Sequence, residues 1–306
     1  MDKTKRIEKA RWLNDANSPV VLMVDDFANV WIDLDGNGIV DPGEDWGHAL
    51  DSPNSAFSLL NEHVLRHFPE VKTTFFVPLA VVPLLKRFPY RAHFGPINEN
   101  ETTISFFRSV GRDERFEIAY HGLTHGISGN RTEDFSHEWE AYRSLDEALA
   151  TIEKGRALFR EVFGEYPRGG KYCGYKRNEF SEESIDKSGF LWWCREWDRG
   201  REDVRDETRF DTRYFGVNAV IDVPSTVHGS IFNPPRKGLP GRWLGKRTVL
   251  RRAKRQLDQL LEKKLVIGIQ EHTSPARVDG KRQTPNVHDD REGLRLMFEH
   301  LNTKNV

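Results

Sequence analysis

The chain has 306 residues, of which 46 are basic and 47 acidic, so its formal net charge is -1. This balance argues against a nucleic-acid-binding protein, which usually carries a basic excess or a basic face. Hydrophobic residues make up 37% of the chain, enough for a large core, yet no apolar run has the ~18 residues that a membrane span needs. The sequence starts without a signal-peptide pattern, so a cytoplasmic location with no membrane partner is the default expectation.

Short apolar runs alternate with helical patterns along the chain. The runs typical of buried strands are Val20–Val24, Thr73–Val77, Phe116–Tyr120, Arg168–Cys173, Phe190–Trp193, Ala219–Val223 and Leu265–Ile269. The patterns typical of amphipathic helices are Ser55–Phe68, Leu145–Phe163, Arg247–Lys264 and Asp290–Leu301. Continuous apolar strands indicate a parallel sheet that is buried on both faces. The sequence therefore predicts one α/β domain over residues 1–306, either a barrel or an open doubly wound sheet.

Ionisable residues recur near the ends of the predicted strands. In chain order they are Asp25, Asp26, His121, Lys171, Asp198, Asp222 and His272. Because the carboxyl ends of barrel strands carry the chemistry in such folds, we expect several of these groups to converge on one face.

Two histidines four residues apart, His121 and His125, are typical of a site for zinc or a similar ion. A carboxylate of the Asp25–Asp26 pair would be the third ligand, while the other takes a proton from the attacking water. Taken alone, the two histidines fit a polar loop equally well, and the aspartates fit an N-cap or a solvated loop. His272, after the last apolar strand, is either a general acid at the barrel mouth or a hydrogen-bonded core residue.

These residues resemble short motifs of the polysaccharide deacetylases, the NodB-homology family of carbohydrate esterases. Val24-Asp25-Asp26 resembles the family's Thr-Phe-Asp-Asp-Gly, and Glu117-Ile-Ala-Tyr-His-Gly-Leu-Thr-His resembles its Glu-Ile-Gly-Asn-His-(Thr/Ser)-x-x-His. Between them, Lys72-Thr-Thr-Phe-Phe-Val is similar to the Ala-Thr-Phe-Phe-Val strand.

Three later motifs extend the resemblance over about Val20 to Leu301. Gly164-Glu-Tyr-Pro followed by Lys171-Tyr-Cys-Gly-Tyr is similar to Gly-x-x-Pro followed by Arg-Pro-Pro-Tyr-Gly. Gly189-Phe with the stretch from Trp192 to Asp198 resembles a Gly-(Tyr/Phe) strand that ends in an Asp near Trp. Ile267-Gly-Ile-Gln-Glu-His is similar to the closing Leu-Leu-x-His strand.

The resemblance implies a distorted (β/α) barrel of about seven parallel strands and a role for each motif residue. Asp25 would be the general base, His272 the general acid, and Asp198 the residue that orients the acid. A divalent metal, with zinc preferred, would be held by Asp26, His121 and His125.

The implied reaction is hydrolysis of an N-acetyl or O-acetyl group on an amino sugar or polysaccharide, with a metal-bound water as nucleophile. Backbone N–H groups from Tyr172 to Tyr175 would help to bind the substrate oxyanion. Three residues depart from the motifs: Phe27 replaces a Gly, Cys173 replaces a Pro, and Lys171 stands where the family has an Arg that pairs with the base.

A second metal site is predicted at residues 33–44. Asp33, Asp35, Asn37, Ile39, Asp41 and Glu44 occupy the ligand positions of a twelve-residue calcium loop, with Gly38 at the sixth position. The flanking residues are not helix-like, so a structural calcium site is expected rather than a regulatory helix pair, and an ion-free Asp/Gly turn is the alternative.

Aromatic and polar residues near the strand ends are candidates for substrate contact. They are Tyr172, Tyr175, Trp193, Trp197 and Asp222. Aromatic faces stack on sugar rings, although packing in the core is the more common explanation of any single Trp.

Two other functions fit the same residues. A phosphoester hydrolase would use the same metal ligands but usually needs two metals and phosphate-binding cations, for which Arg168 and Lys171 are the obvious candidates. A non-catalytic carbohydrate-binding protein would have no need of Asp25 or His272. The sequence does not indicate the sugar or the oligomeric state.

Overall fold

Strands and helices alternate in a computed structural model that describes residues 18–47, 55–196, 213–233, 246–263, 266–277 and 282–304. The strands are β1 Val20–Asp25, β2 Val30–Asp33, β3 Thr73–Val77, β4 Arg91–Phe94, β5 Phe116–Tyr120, β6 Gly126–Ile127, β7 Ser136–His137, β8 Gly169–Lys171, β9 Trp192–Cys194, β10 Arg213–Phe215, β11 Val220–Asp222, β12 Val227–His228 and β13 Ile267–His272. The helices are α1 Ala56–His63, α2 Glu101–Gly111, α3 Glu138–Ala141, α4 Leu145–Phe163, α5 Ser181–Lys187, α6 Lys246–Glu262 and α7 Val287–Leu301.

Nine of the strands form one sheet in the order β10-β11-β9-β8-β5-β3-β1-β13-β12. Every neighbouring pair is parallel except β10 with β11. The carboxyl ends of eight strands therefore meet at one edge, which confirms the predicted distorted (β/α) barrel. Two short ribbons, β2 with β4 and β6 with β7, lie outside this sheet.

The sheet is buried on both faces, as its apolar strands predict. In β3, Phe75 packs in the large outer core beneath the helices, while Phe76 packs in a small inner cluster with Met23 and Ala119. Apolar side chains of the inner face fill the barrel, and polar side chains replace them near the carboxyl ends of the strands.

The predicted strands all occur, with bounds that differ by up to three residues at either end. Helix α2 was not predicted, because β-branched and aromatic residues in Glu101–Gly111 weaken the helical signal. Its N-cap is Asn100, whose side chain accepts a hydrogen bond from the backbone N–H of Thr103. Residues 264 and 265, at the edges of two predicted elements, lie outside the described residues.

Candidate active site

A cavity of about 340 Å³ opens at the carboxyl edge of the sheet. Its lining includes residues from β1, β7 and β13 and from loops between the strands: Asp25, Asp26, Trp46, Leu84, His121, His125, Phe135, His137, Gly174, Tyr175, His272, Arg277, Arg282, Gln283 and Thr284. Six predicted site residues from distant parts of the chain therefore share one cavity: Asp25, Asp26, His121, His125, Tyr175 and His272.

Asp25 and Asp26 both line this cavity although adjacent strand residues point to opposite sides. Asp25 ends β1, and Asp26 turns the chain with a φ of 64°, in the left-handed region that Asp tolerates better than most residues. Asp26 is 4% exposed, and Gln283 Nε2 donates to its Oδ2 at 3.1 Å. The other carboxylate oxygen, Oδ1, remains directed at the histidines.

The two histidines are held by a tight loop that wraps around Glu138. This carboxylate, 3% exposed, accepts hydrogen bonds from the backbone N–H groups of Leu123, Thr124 and His125 at 3.1, 2.7 and 3.2 Å. His121 Nδ1 donates to the carbonyl of Lys171 at 2.9 Å, because a carbonyl only accepts. His121 Nε2 is therefore the nitrogen available to a ligand.

Asp26, His121 and His125 have the spacing of ligands to one divalent ion. Asp26 Oδ1 lies 3.1 Å from His125 Nε2 and 3.6 Å from His121 Nε2. Ligand atoms about 2.0–2.1 Å from a tetrahedral ion are separated by ~3.4 Å. Within the described part of the chain, Asp26 Oδ1 is buried without a hydrogen bond of good geometry, as expected of an atom that serves as a metal ligand. We call these three residues the metal centre.

Cys173 also places its sulfur within 4.8 Å of ligand atoms of both histidines. However, its Sγ donates to the carbonyl of His121 at 2.9 Å, and burial raises the pKa of the thiol well above its usual range. Since a thiolate is the form that binds metal, Asp26 fits the third position better.

Electrostatics within the metal centre favour an ionised Asp26 beside imidazoles. Burial alone would favour the neutral acid, but His125, His272 and His121 outweigh it and lower the pKa of Asp26. Burial lowers the pKa of His121 to about 4, so its ring is neutral. Burial also opposes the charge on His125, but Asp26 outweighs that cost and raises the pKa of His125.

Asp25 is paired with Lys171, as the sequence suggested. Lys171 Nζ lies 3.0 Å from Asp25 Oδ1 and 2.9 Å from Oδ2, and the side chain of Lys171 has no exposed surface. His272 is the register neighbour of Asp25 on β13. Its Nδ1 is 2.8 Å from the carbonyl of Pro285, so Nδ1 donates there and Nε2 is left for the cavity.

Three of the predicted substrate contacts, Tyr172, Trp193 and Asp222, do not reach the cavity. Tyr172 and Trp193 are 0% exposed and pack in the outer core against Trp139, so their side chains are inaccessible to a substrate. The carboxylate of Asp222 accepts a hydrogen bond from Arg195 Nε at 2.9 Å and does not line the cavity. Tyr175 does line it. Trp197 and Asp198 lie outside the described residues.

Sequence reasoning also missed residues that shape the site. Glu138, His137 and Gln270 were not singled out, and a polar Gln inside an otherwise apolar strand was a readable signal. His137 lines the cavity with its ring 6.0 Å from that of His125. Burial, and then the neighbouring His125, lower the pKa of His137 to about 3, so its imidazole is neutral.

Residues 33–44, which we call the acidic loop, lie between β2 and Trp46. The carboxylates of Asp33, Asp35 and Glu44 come within 4.8 Å of one another, and Asp33 and Glu44 are 2% and 6% exposed. The Glu44 carboxylate accepts from the backbone N–H groups of Leu34 and Asp41 at 2.6 and 2.9 Å. Three of the six predicted calcium ligands, Asp33, Asp35 and Glu44, thus lie around one point.

Comparisons with known proteins identify the fold. No family model and no curated protein matches the chain. Among solved structures, a putative polysaccharide deacetylase from Mycobacterium smegmatis matches with 16% identity and a TM-score of 0.54, covering 95% of this chain and 85% of that one. Puue allantoinase matches with 15% identity and a TM-score of 0.53, covering 96% and 87%.

A probable polysaccharide deacetylase from Pseudomonas aeruginosa PAO1 matches with 14% identity and a TM-score of 0.51, covering 94% of this chain and 86% of that one. Identities this low establish architecture, and the names of these neighbours differ in activity, so the reaction must be argued from the site. In the described residues no helix is both long and apolar enough to cross a membrane.

The chain has the fold of the polysaccharide deacetylases.

Proposed function

We propose that the protein is a metal-dependent hydrolase that removes an acetyl group from an amino sugar or another carbohydrate. The observation that carries the proposal is the convergence of Asp26, His121 and His125 beside a second carboxylate, Asp25, in one cavity. Zinc is the preferred ion, because two imidazoles and one carboxylate are typical of catalytic zinc sites with an open position. Such an ion supplies Lewis acidity, which polarises an acyl carbonyl and makes water easier to deprotonate.

Asp25 is suited to act as the general base. It lies next to the metal centre, lines the cavity, and is held in place by Lys171 at 2.9 Å. A fixed carboxylate accepts the proton of the attacking water without first having to change its orientation.

His272 is suited to donate a proton to the departing nitrogen or oxygen. Its Nδ1 is held by the carbonyl of Pro285, which fixes the ring and presents Nε2 to the cavity. Because Asp25 and His272 are register neighbours on adjacent strands, a base and an acid flank the same space. Asp198 is proposed to assist His272, on the strength of the sequence motif alone.

The carbohydrate substrate is proposed from two observations together. The fold is that of proteins named polysaccharide deacetylases. The cavity also has an aromatic wall that includes Trp46, whose indole N–H donates to the carbonyl of Ala276 at 3.0 Å. Trp46 is 2% exposed, so the partly exposed rings of Phe135 and Tyr175, which also line the cavity, are the aromatic surfaces accessible to a sugar ring.

We propose in addition that the acidic loop binds a structural calcium ion. Its support is the twelve-position ligand pattern together with the close approach of Asp33, Asp35 and Glu44. In the described part of the chain these carboxylates have no Lys, Arg or His partner within 4.0 Å, so a bound cation would neutralise buried charge. Trp46 follows Glu44 by two residues, so calcium would also fix one wall of the cavity.

Acetate release tests the proposed activity. The purified protein, loaded with zinc, would be incubated with a panel of N-acetylated and O-acetylated sugars and oligosaccharides, with and without a chelator. We expect release from at least one substrate, its loss with chelator, and its return when zinc is restored. Chelator-insensitive release would contradict metal dependence, and tight sugar binding without release across the panel would favour a carbohydrate-binding protein instead.

A further inference from the structure

A closed network of polar side chains lies inside the sheet behind the metal centre. It joins Asp25 at the end of β1, Lys171 at the end of β8, Gln270 in β13 and Tyr175 after β8. Lys171 and Gln270 are 0% and 2% exposed, so each of their polar atoms needs a partner within the protein.

Gln270 meets this requirement in one orientation of its amide. Its Nε2 donates to Asp25 Oδ2 at 2.9 Å and to the carbonyl of Glu271 at 2.7 Å. Its Oε1 accepts from Lys171 Nζ and, at 2.8 Å, from the hydroxyl of Tyr175. A flipped amide would place NH₂ against the ammonium of Lys171, which only donates, and oxygen against two acceptors, so the network fixes the side chain.

The ammonium of Lys171 alone would fix the orientation of the Asp25 carboxylate less firmly than a guanidinium would. An ammonium is a compact point charge with rotatable donors, whereas a guanidinium has a planar fork that fixes both oxygens of a carboxylate. In this protein Lys171 contacts both oxygens of Asp25, and Gln270 adds a planar N–H donor to Oδ2 while its own oxygen holds the ammonium in place.

We propose that Gln270 is a positioning residue. Together with Lys171 it makes the contacts to the two oxygens of Asp25 that a single guanidinium would make, and it thereby sets the orientation of the Asp25 carboxylate. This inference rests on the proposed function, in which Asp25 is the general base. It assigns Gln270 no contact with the substrate. Its effect is on how Asp25 is presented to the cavity.

Three variants test the proposal: Gln270→Leu, Lys171→Arg and the two combined. Gln270→Leu keeps the approximate volume but removes all four hydrogen bonds of the amide, and we expect kcat to fall about 10- to 100-fold, since a small misplacement of a catalytic group can cost about 10²-fold. KM should stay within about twofold and zinc content should be unchanged, because the metal centre is intact. Gln259→Leu, at an exposed position of α6, is the matched control and should behave as wild type.

The combined variant separates positioning from simple packing. Arginine has a planar guanidinium that can bind both oxygens of Asp25. Because position 171 is fully buried, this larger group would crowd Gln270, so Lys171→Arg alone should lower kcat. Adding Gln270→Leu to Lys171→Arg should raise kcat to within about fivefold of wild type, a non-additive rescue that packing loss would not give. If Gln270→Leu fails to fold, the comparison of the combined variant with Lys171→Arg carries the same test.

Full kcat in folded Gln270→Leu, or a combined variant no faster than Lys171→Arg, would overturn the proposal. These outcomes are distinct from failure of the proposed function. If wild-type protein releases no acetate from any substrate, the proposed function is wrong and the role of Gln270 as the positioner of a base is wrong with it. An active wild type with an insensitive Gln270→Leu refutes the positioning role alone.

Discussion

The metal centre and the acidic loop both gather buried carboxylates, but they balance the negative charge in different ways. In the metal centre Asp26 faces two imidazoles, and the adjacent Asp25 faces the buried ammonium of Lys171. In the acidic loop, Asp33 and Glu44 accept backbone N–H groups and have no cationic side chain within 4.0 Å among the described residues.

This difference indicates how each region depends on an ion. Gln283 and the carbonyl of Lys171 hold the side chains of Asp26 and His121, and Glu138 holds the backbone of His125, so the site is largely formed before an ion binds. Arg91 and Ser274 donate to backbone carbonyls of the acidic loop, but in the described part of the chain its carboxylates accept hydrogen bonds only from within the loop. We therefore expect the first ion to govern activity and the second to govern stability.

The largest effect is expected from Asp25→Asn. The variant keeps the size of the side chain but removes the base, so kcat should fall by about 10²- to 10⁴-fold while zinc content stays at the wild-type level. Metal analysis and acetate release on the same preparation make the measurement, and a melting curve shows that the fold is kept. Retention of wild-type kcat would remove Asp25 from the mechanism and weaken the distinction between the two aspartates.

A smaller effect on metal affinity is expected from Glu138→Gln. The carboxylate of Glu138 accepts three backbone N–H groups of the histidine loop, whereas an amide has one accepting oxygen and adds a competing donor. The zinc dissociation constant should rise about 10- to 100-fold, as is typical when a supporting group around a metal site is lost. Glu140→Gln, at an exposed position of the same helix α3, is the control. Equal affinities in both variants would show that the loop holds its shape without Glu138.

Calcium should raise the melting temperature of wild-type protein and not that of Glu44→Gln. At 100 times the dissociation constant, binding to the folded state alone would add about 2.7 kcal/mol. Calorimetric titration and thermal melts with calcium, after zinc is loaded, make the measurement, with exposed Glu179→Gln as the control. A wild-type melting temperature that ignores calcium would mean that the loop is an ion-free turn, and the comparison would then rest on the metal centre alone.

Glu271 is a third case, because its buried carboxyl group has neither a cationic partner, as in the metal centre, nor backbone N–H donors, as in the acidic loop, among the described residues. It is 0% exposed, neither carboxylate oxygen has a hydrogen-bond partner among the residues that the structure describes, and burial, then Asp290 and Asp289, raise its pKa well above 4.5. The folded state therefore holds this proton more tightly than the unfolded state. The stability linked to it is present below pH 4.5 and is lost as pH rises toward the folded-state pKa.

Glu271→Gln should escape that loss. Its free energy of unfolding should exceed that of wild type by on the order of 1–3 kcal/mol at pH 8, and the gap should close toward pH 4.5. Urea unfolding at several pH values makes the measurement, with exposed Glu292→Gln on α7 as the control. A gap that does not change with pH would show that Glu271 does not titrate on unfolding.

Much of the fold and the centre of the site could be predicted from sequence. The buried strands are continuous apolar runs, and Asp26, His121 and His125 follow such runs, so their meeting at one edge is a consequence of parallel strands. Which aromatic residues face the core was not predictable: Tyr172 and Trp193 lie at strand ends but point into the outer core. A displacement of the strand by one residue would move each of these side chains to the other face of the sheet, and the local sequence pattern does not specify that register.

Partners that act through long-range contacts were also beyond local patterns. Glu138 lies in a short helix, and its bonds to the histidine loop depend on a turn with positive φ at Gly122 and His125. Gln270 was visible as a polar residue in an apolar strand, but Lys171, its partner, is 99 residues away in sequence. Such pairs become clear once the order of strands in the sheet is known.

The most direct test of the central claim is zinc stoichiometry in three proteins, measured by titration against a competing chromophoric chelator. The claim is that one divalent ion is held by Asp26, His121 and His125. We predict one tight zinc per wild-type chain, one in Cys173→Ser, and none in Asp26→Ala. Tight zinc retained by Asp26→Ala, or lost from Cys173→Ser, would contradict the assignment of the ligands.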